Sequence, residues 1–270
     1  MDIPCKKMIS ELIFKIADSG LTSEMYYGIN NAGIVIALLF SLWHCKKLSI
    51  PIWKAVILLL GTHFGMNLVG GQVWKLVQYA EEINLFGIET STNSIVRLFV
   101  LHPLIALVFA LILRLKGKLT CDAIVMLPLL KSCIGQLACL FPGCCRGLQW
   151  QGGIYNIQTE TYHFPTPIFE TVLTAIIFAY LLYRTIKRNY VSDGTLYPLM
   201  MILYGIMRFY CELLRENEKI VFGCSAMALH AVFMCVVGII WLTICYKKKE
   251  IDNEESIQTY EVEDNQGAEA

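Results

Sequence analysis

Seven runs of predominantly apolar residues, each close to the roughly 20 residues that a helix needs to cross a bilayer, leave this chain of 270 residues little freedom of architecture. They occupy residues 28–45, 51–73, 95–114, 122–142, 167–186, 195–214 and 225–246. With 56% hydrophobic and only 16% charged residues, the chain is too apolar for a soluble domain of this length. The expected fold is an all-α membrane protein with seven transmembrane helices. The second run is interrupted by His63, Asn67, Gly70, Gly71 and Gln72, as a broken or water-lined helix is.

Basic clusters set the expected orientation. Lys46 and Lys47 follow the first run, Arg114, Lys116 and Lys118 the third, Arg184, Lys187 and Arg188 the fifth, and Lys247, Lys248 and Lys249 the seventh. With seven crossings all of these lie on one side, and the positive-inside rule makes that side cytoplasmic. The N-terminus is then outside and the C-terminus in the cytosol. Three regions follow: an N-terminal segment 1–27, a membrane domain 28–246 and an acidic tail 247–270. In the first, Ile9, Leu12, Ile13 and Ile16 share one face, which predicts an amphipathic surface helix over residues 8–18. Lys6, Lys7, Glu11, Lys15 and Asp18 break up the apolar core that a cleavable signal peptide needs, so the N-terminus is expected to be retained. The tail, rich in Glu and Asp, is expected to be disordered.

Composition and motifs also exclude several chemistries. The chain carries neither a phosphate-binding Gly-rich loop nor a nucleotide fingerprint, so no cofactor and no nucleic-acid partner are expected. Eleven cysteines are scattered through apolar stretches and read mostly as small packing residues. Cys139, Cys144, Cys145 and His163 share an outer loop and its flank, but the adjacent pair fits zinc-motif spacing poorly. No metal is expected there.

The chemistry gathers on the sixth run. Tyr204, Arg208 and Glu212 recur every fourth residue and form a polar stripe on an otherwise apolar helix. An arginine at the centre of a membrane helix costs roughly 2.5 kcal/mol or more, so its presence points to function or to an internal ion pair with Glu212. At about 1.5 Å of rise per residue, Arg208 lies roughly 9 Å below the outer end of its run, Gln136 roughly 9 Å and His102 roughly 11 Å. Residues at one depth predict a polar cavity in the outer half of the membrane. It would suit a lipid with a phosphate or ester group at headgroup level. Arginine donates two parallel hydrogen bonds to a phosphate and stays charged when buried, which makes Arg208 the first candidate for headgroup contact and Arg146 the second.

These residues resemble the prolipoprotein diacylglyceryl transferase family. Its Tyr-Gly-x-x-Arg-Phe-x-x-Glu-x-x-Arg element is matched by Tyr204, Gly205, Arg208, Phe209, Glu212 and Arg215. Pro165, Thr166, Pro167, Ile168, Phe169 and Glu170 resemble its Pro-Ser/Thr-Gln-Leu-Tyr-Glu element. The segment from Gly135 to Gly147 keeps the frame of the Gly-Arg-x-Gly-Asn-Phe-x-Asn-x-Glu-x-x-Gly motif, with Gln136, Cys139 and Cys144 where the family has arginine, asparagine and glutamate. The family's His-Gly-Gly element is missing, with His102 a displaced candidate for its histidine.

The resemblance implies seven spans, a bacterial plasma membrane location and a reaction. A diacylglyceryl group passes from phosphatidylglycerol to the thiol of a lipobox cysteine on a prolipoprotein, with release of glycerol phosphate. Carried over by position, Arg208, Tyr204 and His102 become the expected catalytic residues, and Gln136, Arg146, Glu212 and Gly147 the expected substrate-binding ones. Arg208 and Arg146 would hold the phosphate leaving group, and His102 or Tyr204 would take the thiol proton. The replaced motif residues favour a second reading, a lipid-binding accessory membrane protein of the same fold without catalysis.

Overall fold

Long apolar runs propagate as helix wherever proline does not intervene, because helix alone satisfies every backbone group within one segment. The computed structural model describes residues 4–82, 95–217 and 223–268. Its elements are α1 (Pro4–Asp18), α2 (Thr22–Lys47), α3 (Ile52–Glu82), α4 (Ile95–Leu113), α5 (Gly117–Ile124), α6 (Met126–Ala138), β1 (Gln149–Asn156), β2 (Thr161–His163), α7 (Thr166–Lys187), α8 (Leu196–Leu213) and α9 (Ala226–Ala268). Each of the seven apolar runs overlaps a helix. By length and composition, four stretches among the described residues are able to cross a membrane: Thr22–Lys47, Gly117–Ala138, Thr166–Lys187 and Met227–Lys249. Ile52–Met66 and Leu101–Leu113 are shorter apolar helices.

The protein is thus mostly helical, with one exception to the all-α expectation. The loop between the fourth and fifth runs folds into an antiparallel hairpin of β1 and β2, with a register shift between Gln149 and Ile154. Helix α1 packs against this hairpin, where Phe14 stacks on Tyr155 at 4.0 Å. The acidic segment expected to be disordered continues α9 to Ala268. No glycine or proline stands between Gly238 and Gly267 to stop it. The first expected outward loop, residues 74–94, falls partly on residues 83–94, and the last, residues 215–224, partly on 218–222, outside the described residues.

Two prolines explain local departures from regular helix. Pro128 has no N–H to bond the carbonyl four residues back, and the fourth run divides at Val125 into α5 and α6. His44 of α2 approaches there, with Nδ1 3.4 Å from the Ala123 carbonyl oxygen. Pro103 lies inside α4, and the Phe99 carbonyl that it leaves without a helical donor accepts a bond from the Tyr197 hydroxyl at 2.9 Å. The α5–α6 pair is central: 67% of its apolar stretch is buried, against 17%, 28% and 22% for the other three. Helices α8 and α9 pack backbone to backbone. A Cβ on Gly205 would stand 2.5 Å from Cys235 Sγ and 2.9 Å from the Ala231 carbonyl oxygen.

At the end of the bundle away from the hairpin, Asp122 of α5 organises the start of α8. Its buried carboxylate accepts from the Asp193, Gly194 and Leu196 backbone N–H groups at 3.0, 2.9 and 3.0 Å and from the Ser192 hydroxyl at 2.8 Å. Of these, the Leu196 N–H is a donor that the N-terminus of α8 cannot satisfy internally, and the others belong to the turn that leads into it. Asp122→Ala is expected to destabilise the protein by about 3 kcal/mol or more, since each buried donor left unpaired costs about 1–3 kcal/mol. Thermal unfolding in detergent measures this; an unchanged midpoint would show that water replaces the carboxylate.

Candidate functional site

The polar stripe of α8 meets the first turns of α7. Thr166 and Pro167 open α7, which places Glu170 inside the bundle at 1% exposure. Glu170 bridges two arginines of the next helix and its end. Arg208 Nη1 donates to one carboxylate oxygen, and Arg215 Nη2 donates to the other at 2.7 Å. Arg208 Nη2 also forms an ion pair with Glu212 Oε2 at 3.2 Å, one helical turn along. Glu212 Oε1 accepts from Asn217 Nδ2 and from Ser225 Oγ, the latter at 3.1 Å. Arg208, Glu212 and Arg215 are 4%, 4% and 9% exposed, so these charges meet one another and not bulk solvent. Burial of this kind is tolerated only with opposite charges in contact, and two arginines face two glutamates. Among the described residues, Arg208 Nε has no hydrogen-bond partner.

The loop between the fourth and fifth runs closes over this cluster through backbone bonds. Gly147 pairs with Arg215 as an isolated antiparallel bridge, and Leu148 N–H donates to the Leu214 carbonyl at 2.8 Å. Gly147 N–H donates to the Phe164 carbonyl at 3.2 Å. The Gly147 carbonyl stands 2.8 Å from His163 Nδ1. Position 147 admits no side chain, because a Cβ would lie 2.4 Å from Thr166 Oγ1 and 2.7 Å from the Phe164 carbonyl oxygen. Beside the loop opens a small cleft of about 30 Å³, lined by Cys139, Gly143, Arg146, Asn156 and His163 among others.

The remaining expected site residues are placed as follows. Tyr204, one turn below Arg208, has its hydroxyl 2.8 Å from Ser132 Oγ on α6 and its ring 4.3 Å from that of Phe99. Gln136 is buried, and its Oε1 has no hydrogen-bond partner among the described residues. Arg146 points outward, half-buried: Nη1 donates to Gln158 at 3.2 Å, and Nε lies 3.6 Å from Glu216 Oε2. His102 is buried on α4, with Nδ1 3.4 Å from the Tyr197 hydroxyl and Nε2 without a partner among the described residues. Tyr197 precedes Arg208 by eleven residues, about 16 Å of helical rise. His102 is therefore not level with Arg208, and the common depth expected for the two is corrected. Counting residues from run ends assumes that all helices end in one plane, and the helices are offset.

Glu170, Arg215 and Ser132 belong to the cluster or its neighbours but are not singled out by periodicity. The available signal was a lone glutamate in the first turns of an apolar run, which requires a cationic partner.

A second group lies at the C-terminal end of α6. The Sγ atoms of Cys139, Cys144 and Cys145 all lie within 4.8 Å of one another, and those of Cys144 and Cys145 are 3.9 Å apart. Hydrogen bonds from Cys139 and Cys144 hold the Cys145 thiol below its ordinary range, with Arg215 and Arg208 acting in the same direction.

Comparison with known proteins finds one family along most of the chain. The family model described as prolipoprotein diacylglyceryl transferase matches residues 13–244. A phosphatidylglycerol–prolipoprotein diacylglyceryl transferase of Finegoldia magna is 33% identical over 91 residues, 34% of this chain and 36% of that protein. Its counterpart in Streptococcus uberis is 27% identical over 90 residues, 33% of this chain and 35% of that protein. The second such transferase of Clostridium perfringens is 27% identical over 118 residues, 41% and 45% of the two chains. The chain thus spans between about a third and a half of the length of these curated relatives. Because the family model extends over most of the chain, from within α1 to the apolar part of α9, this membrane protein belongs to the prolipoprotein diacylglyceryl transferase family.

Proposed function

We propose that the protein transfers a diacylglyceryl group from phosphatidylglycerol to the thiol of a lipobox cysteine in a prolipoprotein, in a bacterial plasma membrane. The observation that supports this reading is the buried Glu170–Arg208–Arg215 bridge, which joins two of the three family elements of this chain. In the reaction, sulfur bonds to the terminal glyceryl carbon, and the carbon–oxygen bond to phosphate breaks. Glycerol phosphate leaves with the electron pair. A developing phosphate charge needs fixed cationic donors, and Arg208, oriented by Glu170 and Glu212, is the residue assigned to it, with Gln136 and Arg146 nearer the lipid and the loop. Tyr204 and Ser132 position polar groups one turn deeper. His102, so far along the bundle from Arg208, is reassigned from proton acceptor to a positioning role on Tyr197.

The test is transfer of labelled diacylglyceryl from phosphatidylglycerol to a lipobox peptide by purified protein. Product that carries the label on the cysteine, and none on a serine peptide, is the expected result. A lipid-binding accessory role is the second reading, favoured by one observation: both Nη atoms of Arg208 already face carboxylates. It predicts retained phosphatidylglycerol binding with no transfer.

The proposed topology has seven crossings, with the hairpin outside and Lys116 and Lys187 in the cytosol. In a cysteine-depleted background, a cysteine at Gln158 is expected to react with an impermeant maleimide from outside, and cysteines at Lys116 and Lys187 only after the cytoplasmic face is opened. Labelling of position 158 from the cytoplasmic side alone would overturn this arrangement.

A further inference from the structure

The Cys139–Cys144–Cys145 group has the geometry of a soft-metal site. Two thiolates that share one zinc ion at about 2.3 Å each stand about 3.8 Å apart, and Cys144 and Cys145 stand 3.9 Å apart. All three sulfurs lie within 4.8 Å of one another, so the third closes onto an ion by a movement of about 1 Å or less. The end of α6 makes this possible: Cys139 caps the helix, and the turn that follows, where Gly143 N–H donates to the Cys139 carbonyl at 3.2 Å, folds the adjacent pair back toward it. Sequence spacing alone argued against such a set, since it counts residues and not the turn.

Three thiolates select thiophilic ions such as Zn²⁺. The nearest imidazole does not complete the coordination: His163 Nδ1 faces the Gly147 carbonyl at 2.8 Å, and Nε2 faces Thr159 and Thr161 at 2.7 and 2.9 Å. A three-ligand site keeps an open position, the arrangement that binds a reacting group and not only a structural ion. Cys144 is exposed, and Cys139 lines the cleft that opens beside the loop. A ligand arriving from outside therefore has access.

We infer that Cys139, Cys144 and Cys145 bind one Zn²⁺ ion whose fourth position takes the acceptor cysteine of the substrate as its thiolate. The second half of this inference rests on the proposed transfer reaction. It provides what that reaction requires, because sulfur is nucleophilic as thiolate and a metal-bound thiol is deprotonated outright. On coordination the acceptor thiol releases its proton to water. The bound sulfur then forms the carbon–sulfur bond as the phosphate ester carbon–oxygen bond breaks, and glycerol phosphate departs with the electron pair.

Cobalt(II), a coloured substitute for zinc, tests the two halves separately. Co²⁺ titrated into reduced, metal-free, full-length protein in detergent is expected to bind at one equivalent, with thiolate-to-cobalt charge-transfer absorption that Zn²⁺ abolishes. Cys144→Ser or Cys145→Ser should weaken binding by more than the roughly 10–100-fold typical of losing an outer-shell partner, while Cys133→Ser and Cys224→Ser leave it unchanged. Zn²⁺ should also protect Cys144 of the unsubstituted protein from alkylation, a readout independent of how any variant folds. Absence of stoichiometric binding, binding undiminished in the Cys144 and Cys145 variants, or a disulfide within the trio in protein taken from membranes each overturns the site. A lipobox peptide should then shift the visible cobalt bands, and its serine analogue should not; identical spectra with both overturn the acceptor role and leave the metal site standing. Transfer that persists with the zinc removed overturns the acceptor role as well. Metal binding intact with no transfer in any metal state overturns the proposed reaction and not the site.

Discussion

Glu170→Gln is expected to lower the stability of the protein by about 3–5 kcal/mol, the cost typical of breaking a buried ion pair from one side. The substitution preserves shape and one acceptor oxygen but removes the charge that Arg208 and Arg215 share. Arg215 then has no carboxylate within reach among its described contacts, and Arg208 retains only Glu212 at 3.2 Å. Both guanidinium groups stay charged in nearly any environment, so neither escapes the penalty by losing a proton. Folded yield and thermal unfolding in detergent measure the effect. A loss no larger than the roughly 1 kcal/mol of an exposed pair would mean that water already hydrates the cluster.

Arg208 carries the second large effect, on rate. Arg208→Lys keeps the charge but replaces a planar fork with a flexible point charge, so transfer is expected to fall roughly tenfold or more, in line with about 1.5–3 kcal/mol for one charge-assisted hydrogen bond. Arg208→Met should be slower still. A purely structural arginine predicts otherwise. In the Arg208→Met, Glu212→Gln double variant, Glu170 keeps Arg215 and position 212 keeps Asn217 and Ser225 as neighbours, so folded yield should recover. Recovery of transfer along with yield would remove Arg208 from the chemistry; recovered yield without transfer supports its role at the phosphate.

Much of the helical framework is legible in the sequence, because hydropathy alone dictates which segments satisfy their own backbone in an apolar surrounding. The Arg208–Glu212 pair is equally legible, since both residues lie on one helix four positions apart. The pairing that matters more, Arg208 with Glu170, is not: 38 residues separate them, and their contact depends on how α7 docks on α8. The hairpin escapes because Gly152 and Gly153 interrupt strand alternation and the register shifts there. The division at Val125 is signalled only by Pro128. The depth of His102 is not legible either, because helix lengths carry no information about the vertical offset of one helix against the next.

The bonds that join the loop after α6 to the end of α8 also bear on how quickly this region opens. Leu148 N–H is held by the Leu214 carbonyl, and Gly147 pairs with Arg215. A loop stitched to the last turn of the arginine-bearing helix has no hinge of its own, since lifting it unwinds that turn and exposes a buried charge. Its amide protons should therefore exchange with deuterium on the slow timescale of the helices and not that of a surface loop.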